Sequence, residues 1–309
     1  MGWKEISKTE YCELFTSAFT IFHTADFNEL NSAKVEHLHY LSFAAENCQY
    51  GIILGEKASN LNSPFSAPFG GLIYVGNFSQ VDLSEVALSL LQWATTNRTS
   101  LYISFPPTFY DEKFISLAVN ELINNGFSIK YSDLNAHYLL DSETTFFSRL
   151  ARNARKNLSA ALKNDYSFSR AETIEQKETA YAIIKKNRAE KGFPLKMSFE
   201  DLQSTNELIA IDYFTLEMNE HQCAAAIVFT ISSTTAMVVY WGNLSAFAEL
   251  RPMNLLAKLV FEYYQQVGKQ FLDIGPSSEF GVINEGLASF KKSIGCESSN
   301  KYSLKFEYV

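Results

Sequence analysis

Apolar positions along this chain fall into two spacings. In one they return every three or four residues. Val86, Leu90, Trp93 and Ala94 do so behind Asp82 and Glu85, which read as a capping box. Phe114, Leu117, Ala118 and Leu122 do so within Asp111–Asn124, with Gly126 as the stop. Ile174–Glu190 reads as a long helix. Met253, Leu256, Val260 and Tyr263 or Tyr264 form the stripe of another, opened by Arg251-Pro252 and ended by Gly268. The other spacing is a short apolar run bounded by turn residues. It predicts strands at Tyr50–Gly55, Leu72–Val75, Leu101–Phe105, His137–Leu140 and Phe271–Ile274. Leu208–Met218, Cys223–Ile231 and Ala236–Trp241, split by turns at Asn219-Glu220 and Ser232-Ser233, predict an antiparallel meander. Several of these strands are apolar on both faces, as a sheet covered on both sides requires. Tyr302, Leu304, Phe306 and Tyr308 alternate and predict a final strand. The opening, from Tyr11–Phe22 on to about Ala45, reads as helical, and residues 57–68 read as a loop that runs on through Ser63–Gly71.

The pattern repeats. Tyr74-Val75-Gly76-Asn77-Phe78-Ser79 returns as Tyr240-Trp241-Gly242-Asn243-Leu244-Ser245, 166 residues later. Each copy follows an apolar strand and precedes an amphipathic helix, a short buried strand ending near proline, and a second helix reaching glycine. Those glycines, Gly126 and Gly295, are 169 residues apart. Two copies at half the chain length predict two similar domains, 1–142 and 143–309, rather than a solenoid.

Composition narrows the class. At 47% apolar residues, the chain of 309 residues has ample material for two cores. Cys12, Cys48, Cys223 and Cys296 are scattered, which predicts reduced structural thiols. His23, His37, His39, His137 and His221 show no metal-ligand spacing, so no metal is expected. The N-terminus has no apolar core of signal-peptide length and no run reaches membrane-spanning length, so a cytoplasmic protein without a membrane span is expected. Charge is uneven: residues 1–142 carry 7 basic and 15 acidic residues, and residues 143–309 carry 19 of each. This balance argues against DNA as a partner. The exception is Phe146–Asn164, read as one helix with apolar Phe147, Leu150, Ala154, Leu158, Ala161 and Leu162. Its other face bears Arg149, Arg152, Arg155, Lys156 and Lys163, with no acid between Glu143 and Asp165. A solvated face is the ordinary fate of such a run; a phosphate-bearing ligand is the functional alternative.

Meander, helix, parallel strand, helix and closing antiparallel strand together resemble the GNAT acyltransferase fold, an α/β (α+β mixed sheet) class. In tandem they resemble its FemAB-like branch, with two GNAT-like acyltransferase domains in one chain. Arg152–Lys163 is similar to that branch's basic helix. Leu250–Leu256 is similar to its segment before the cofactor-side helix. Gly268–Gly275, followed by Phe290-Lys291-Lys292-Ser293-Ile294-Gly295, resembles its closing signature. Two departures stand out. Asn254 and Leu256 occupy positions where the usual GNAT loop has glycines, and residues 171–206 are too few for the helical arm of members that use aminoacyl-tRNA.

The resemblance implies acyl transfer from a thioester, with acyl-CoA as co-substrate, to an amine acceptor by direct attack. Such transfer needs a base, oxyanion donors and an acid for the leaving group. Tyr240 is the expected acid, Asp273 and Glu279 the expected carboxylates. Trp241, Arg251, Met253, Asn254 and Leu255 are expected on the cofactor side. Arg152, Lys156, Asn284 and Lys291 are expected to touch substrate. The second domain is expected to be catalytic and the first to lack a cofactor of its own. Two other readings stand beside this one: a FemAB-type aminoacyltransferase of peptidoglycan bridge formation using aminoacyl-tRNA, less favoured by the acidic charge, and a catalytically inactive protein that binds a small ligand.

Overall fold

The computed structural model describes residues 2–16, 19–193 and 195–308, so residues 17 and 18 of the expected opening helix lie outside the described residues. The chain forms two compact units. One holds residues up to Leu134 together with Glu279–Val282 and the segment from Ser299 onward. The other holds Asn135–Ser278 and Ile283–Ser298.

In chain order the first unit is built from β1 (Lys4–Ile6), α1 (Lys8–Leu14), α2 (Ala25–Leu30), β2 (His37–Ala44), β3 (Cys48–Lys57), β4 (Asn60–Ser63), β5 (Ile73–Gly76), α3 (Gln80–Thr96), β6 (Ser100–Ser104), α4 (Glu112–Asn124) and most of β7 (Ser128–Leu139). The opening is therefore only partly helical. β2 is a strand whose period of two is masked: Leu41 and Phe43 enter the main core while Tyr40 joins a second cluster with Tyr11 and Phe15. It pairs antiparallel with β1 and β3. Helix α3 begins earlier than Asp82. Ser79 is its cap, with the hydroxyl accepting from the Asp82 N–H at 3.1 Å. Val86, Leu90 and Ala94 of α3 and Phe114, Ala118 and Leu122 of α4 pack with Ile52, Leu54, Leu101 and Ile103 of the sheet.

The expected loop 57–68 contains a strand. β4 pairs antiparallel with Gly55–Lys57 of β3 and parallel with Ser100–Ile103 of β6, and β5 pairs with Cys48–Gly51 of β3. One edge of β3 thus carries a broken strand, interrupted by residues 64–72.

The second unit continues with α5 (Phe146–Arg149), α6 (Arg152–Ala161), β8 (Tyr166–Arg170), α7 (Ile174–Glu190), α8 (Phe199–Asn206), β9 (Ile211–Met218), β10 (His221–Thr230), β11 (Thr235–Asn243), α9 (Pro252–Gln266) and β12 (Phe271–Pro276). The two-residue strands β13 (Ser278–Glu279) and β14 (Val282–Ile283) are divided between the units, α10 (Glu285–Ser293) belongs to the second, and most of β15 (Glu297–Phe306) belongs to the first. The expected helix 146–164 is broken. Leu150 and Ala151 are extended, and the Ala151 N–H donates to the Ser293 carbonyl at 2.9 Å. The break leaves Phe147 and Leu162 exposed, while Phe146, Leu150, Ala154, Leu158 and Ala161 are buried. Strands β8, β9, β10 and β11 form the antiparallel meander, and β12 adds parallel to β11.

Each unit takes strand residues from the other half of the sequence. Ala136–Leu139 of β7 lie antiparallel against β12 in the second unit. Ser303–Phe306 of β15 lie antiparallel against Leu101–Ser104 of β6 in the first. The units therefore interleave along the chain instead of dividing at residue 142.

Candidate active site

The parallel pair β11–β12 is short. Thr235, Ala236 and Met237 face Phe271, Leu272 and Asp273, and the recorded pairing stops there. β11 runs on to Asn243 and is bulged: Ile227 of β10 faces Tyr240 while Val228 faces Val238, so Val239 is the extra residue. A bulge leaves its backbone groups outside the regular ladder, next to the point where the two strands part. Tyr240 follows immediately, half-buried, and burial raises its pKa against a Met197 backbone hydrogen bond that lowers it. Its hydroxyl therefore keeps its proton at neutral pH. The Arg188 guanidinium of α7 lies 5.6 Å from the Tyr240 ring centre.

Gly242 has a packing reason. A Cβ there would collide with the Asn187 side chain, which is buried and donates from Nδ2 to the Asn243 carbonyl at 2.6 Å. The Gly-Asn pair thus docks α7 onto the end of β11.

Asp273 and Lys291 come together, in a different way from the roles expected of them. Asp273 has no exposed surface, and its Oδ1 accepts from Asn135 Nδ2 and from the Gly275 N–H, each at 2.8 Å. Lys291 is buried on α10 and its Nζ donates to the Gly275 and Pro276 carbonyls, also at 2.8 Å. Gly275 sits at φ +78° beside a register shift between β12 and β7. Carboxylate and ammonium hold this one glycine from its two polar groups and fix the end of β12. Burial lowers the Lys291 pKa to about 8, opposed by the charges of Cys296 and Asp273. Without exposed surface, Asp273 holds the end of β12 in this structure. Asn284 is the cap of α10, its Oδ1 accepting from the Leu287 N–H at 3.0 Å. Glu279 is exposed and groups with the first unit.

On the α9 side, residues 245–250 form a 3₁₀ turn and Arg251 adopts the left-handed conformation at φ 57°. Pro252 then opens the helix, and no side chain caps it. The Arg251 side chain is half-exposed, with Glu249 3.7 Å away. Trp241 and Met253 are half-buried, and Trp241 packs edge-on against Phe290 at 6.2 Å. Asn254 and Leu255 are buried.

Helix α6 carries a groove of about 510 Å³ lined by Arg152, Arg155, Lys156, Ser159 and Lys163 with Leu150 and Ala160. Among the described residues none of the four cations that line it forms an ion pair. Arg149, by contrast, leaves the stripe to bond Asp141 at 3.0 Å and approach Glu297 at 3.6 Å.

The repeated motif in the first unit is closed. Tyr74 donates to Asp111 Oδ2 at 2.9 Å and its ring packs on Phe78 and Phe114 at 4.8 and 4.5 Å. Residues 64–72 fold back onto β6, with the Gly70 N–H donating to the Ser104 carbonyl at 2.8 Å and Gly71 against Phe105. Arg188, Asn187 and the Val239 bulge escaped the sequence reading. Arg188 and Asn187 lie in a charged helical stretch with no motif, and a bulge has no local composition signal. Among the described residues no group of three or more His, Cys, Asp or Glu is placed to hold a metal ion.

No family model matches the chain, and no curated protein matches it by sequence. Solved structures do. FemX matches with a TM-score of 0.70 at 12% identity, over 99% of this chain and 97% of that one. L-PGS from Bacillus licheniformis matches at 0.57 and 14%, over 98% and 93%. A tandem GNAT protein from the clavulanic acid biosynthesis pathway matches at 0.51 and 9%, over 99% and 98%. Identities this low speak for architecture. The duplicated order of elements, the parting of β11 from β12 and these likenesses together make this a FemAB-like tandem GNAT fold of mixed α/β class.

Proposed function

We propose that the second unit transfers an acyl group from an activated donor, with acyl-CoA the leading candidate, to an amine acceptor. The observation that carries this reading is the early end of the β11–β12 pairing with the Val239 bulge beside it. A carbonyl carbon presented there meets backbone groups that stand outside the regular ladder, where an N–H suits a developing oxyanion. The amine attacks, the C–N bond forms as the C–S bond breaks, Tyr240 gives its proton to the leaving thiolate, and the proton shed by the nitrogen passes to water and through it restores the Tyr240 hydroxyl. The uncapped start of α9 suits an anionic part of the donor, although Pro252 removes one amide and no glycine opens the turn. The first unit, with its own gap plugged, serves as a structural partner.

The test is a thermal-shift titration with acetyl-CoA and CoA, followed by thiol release with a panel of amines. At about a hundred times the dissociation constant, stabilisation of roughly 2.7 kcal/mol is expected. Tyr240→Phe is expected to keep that shift and lose roughly 100-fold in turnover. No shift with either ligand and no thiol release would sink the acyl-CoA reading. A second reading, an aminoacyl ester donor such as aminoacyl-tRNA, draws on the unpaired cations of α6. It predicts binding that weakens steeply with salt.

A further inference from the structure

The unexplained charge in the second unit is Arg188. It stands on α7, one residue after buried Asn187, so the same turn that docks α7 on Gly242 turns Arg188 toward Tyr240. Its Nε is buried and makes no hydrogen bond, and among the described residues no carboxylate lies within ion-pair distance. The acids nearby in sequence are committed elsewhere. Glu190 accepts from the Ser245 N–H at 3.0 Å, and Asp201 accepts from the Ser198 N–H at 2.8 Å. Lys191 is a neighbour of like charge, and its pKa falls through burial and through Arg188, against Glu190. A guanidinium that rests on the Tyr240 ring, with its Nε buried and without a hydrogen bond and a second cation beside it, is incompletely compensated in the free protein. An arrangement of this kind suits a ligand oxyanion. The planar fork of arginine matches carboxylate or phosphate with two parallel bonds, which a lysine cannot reproduce.

We propose that Arg188 is a specificity-determining residue that holds an oxyanion of the substrate, a carboxylate or a phosphate, beside Tyr240. Taken with the acyl-transfer reading on which it rests, this makes the favoured amine acceptor one that also carries a negative group. Neutral amines would lack the second anchor.

The experiment uses the full chain and two probes, inorganic phosphate and malonate, in thermal shift and calorimetry at ionic strength matched with chloride. The wild type is expected to be stabilised by at least one probe beyond chloride, and which one responds identifies the oxyanion. Arg188→Gln is expected to weaken that response by at least about tenfold while its unliganded melting temperature stays equal or rises, because an unpaired charge is gone. Arg188→Lys is expected to bind more weakly than wild type but better than Arg188→Gln, which keeps the test alive should the Gln variant fold poorly. Arg155→Gln, on α6, is expected to keep the full response, so that anion binding on that helix is told apart. The proposal is overturned if neither probe exceeds chloride in the wild type, if Arg188→Gln keeps the wild-type response, or if both Arg188 variants lose stability alike with the response intact. Acetyl-CoA titrated into Arg188→Gln reports separately on the donor: a retained shift with a lost anion response upholds both readings, and a missing shift in every variant strikes the donor reading alone.

Discussion

His23 shows how one side chain can tie the opening segment to a distant loop. It is buried, with Nε2 3.0 Å from the Gly70 carbonyl and Nδ1 2.9 Å from the Thr20 hydroxyl. One N–H and one lone pair satisfy both contacts, so the neutral ring fits. Burial lowers its pKa to about 4 from an ordinary 6.5. Between those values the unfolded chain binds the proton and the folded one does not. Stability is therefore full above about pH 6.5 and falls as pH drops toward 4, by about 3 kcal/mol for this group. Urea unfolding at pH 7 and pH 4.5 measures it, and His23→Gln should flatten the difference. At Gly242 the expected effect is steric. Gly242→Ala should cost about 1–3 kcal/mol by forcing Asn187 aside, and most of that loss should disappear in the double variant with Asn187→Ala; equal losses in both would remove Asn187 as the cause. At this scale Tyr240 and Gly242 were legible because the sequence states them twice. Lys291 was legible only as a residue type, since nothing local foretells that its ammonium would be spent on Gly275 and Pro276.

Elements were legible where one face stays apolar over several turns or where a strand is apolar throughout. The run Ile174–Glu190 and the meander β9 to β11 emerged near their expected bounds. Two failures share a cause, which is that local pattern does not record what packs on the second face. His37–Ala44 looked helical because both faces are apolar, and Phe146–Asn164 looked continuous because the bond from Ala151 to Ser293 spans over a hundred residues. The break also reshapes the basic stripe, withdrawing Arg149 and leaving Arg152, Arg155 and Lys156 on α6 with Lys163 just past its end. If α6 meets a polyanion, Arg152→Glu with Lys156→Glu should lower the slope of log affinity against log salt for a fluorescent tRNA by about two. An unchanged slope would leave α6 a solvated face.

At the level of the molecule, the duplication was readable and the exchange of strands was not. Pairing between β6 and β15, or between β7 and β12, depends on register among distant segments, and each strand alone reads as an ordinary last strand of its own half. The exchange makes a prediction about fragments. Residues 1–142 and 143–309 made separately should each lack a strand of a sheet and expose an unpaired edge. Both should aggregate or show weak protection from hydrogen exchange, and co-expression should recover a stable pair. Two separately stable fragments would contradict the interleaving.

The same topology bears on synthesis. Ser104 and its hydrogen-bonding partner Ser303 are 199 residues apart. At roughly 5–20 residues per second, a ribosome needs tens of seconds to travel between them. Throughout that interval the outer edge of β6 waits on a nascent polypeptide without its finishing neighbour. Vectorial folding of the N-terminal unit is thereby held open until translation reaches the residues that seal it.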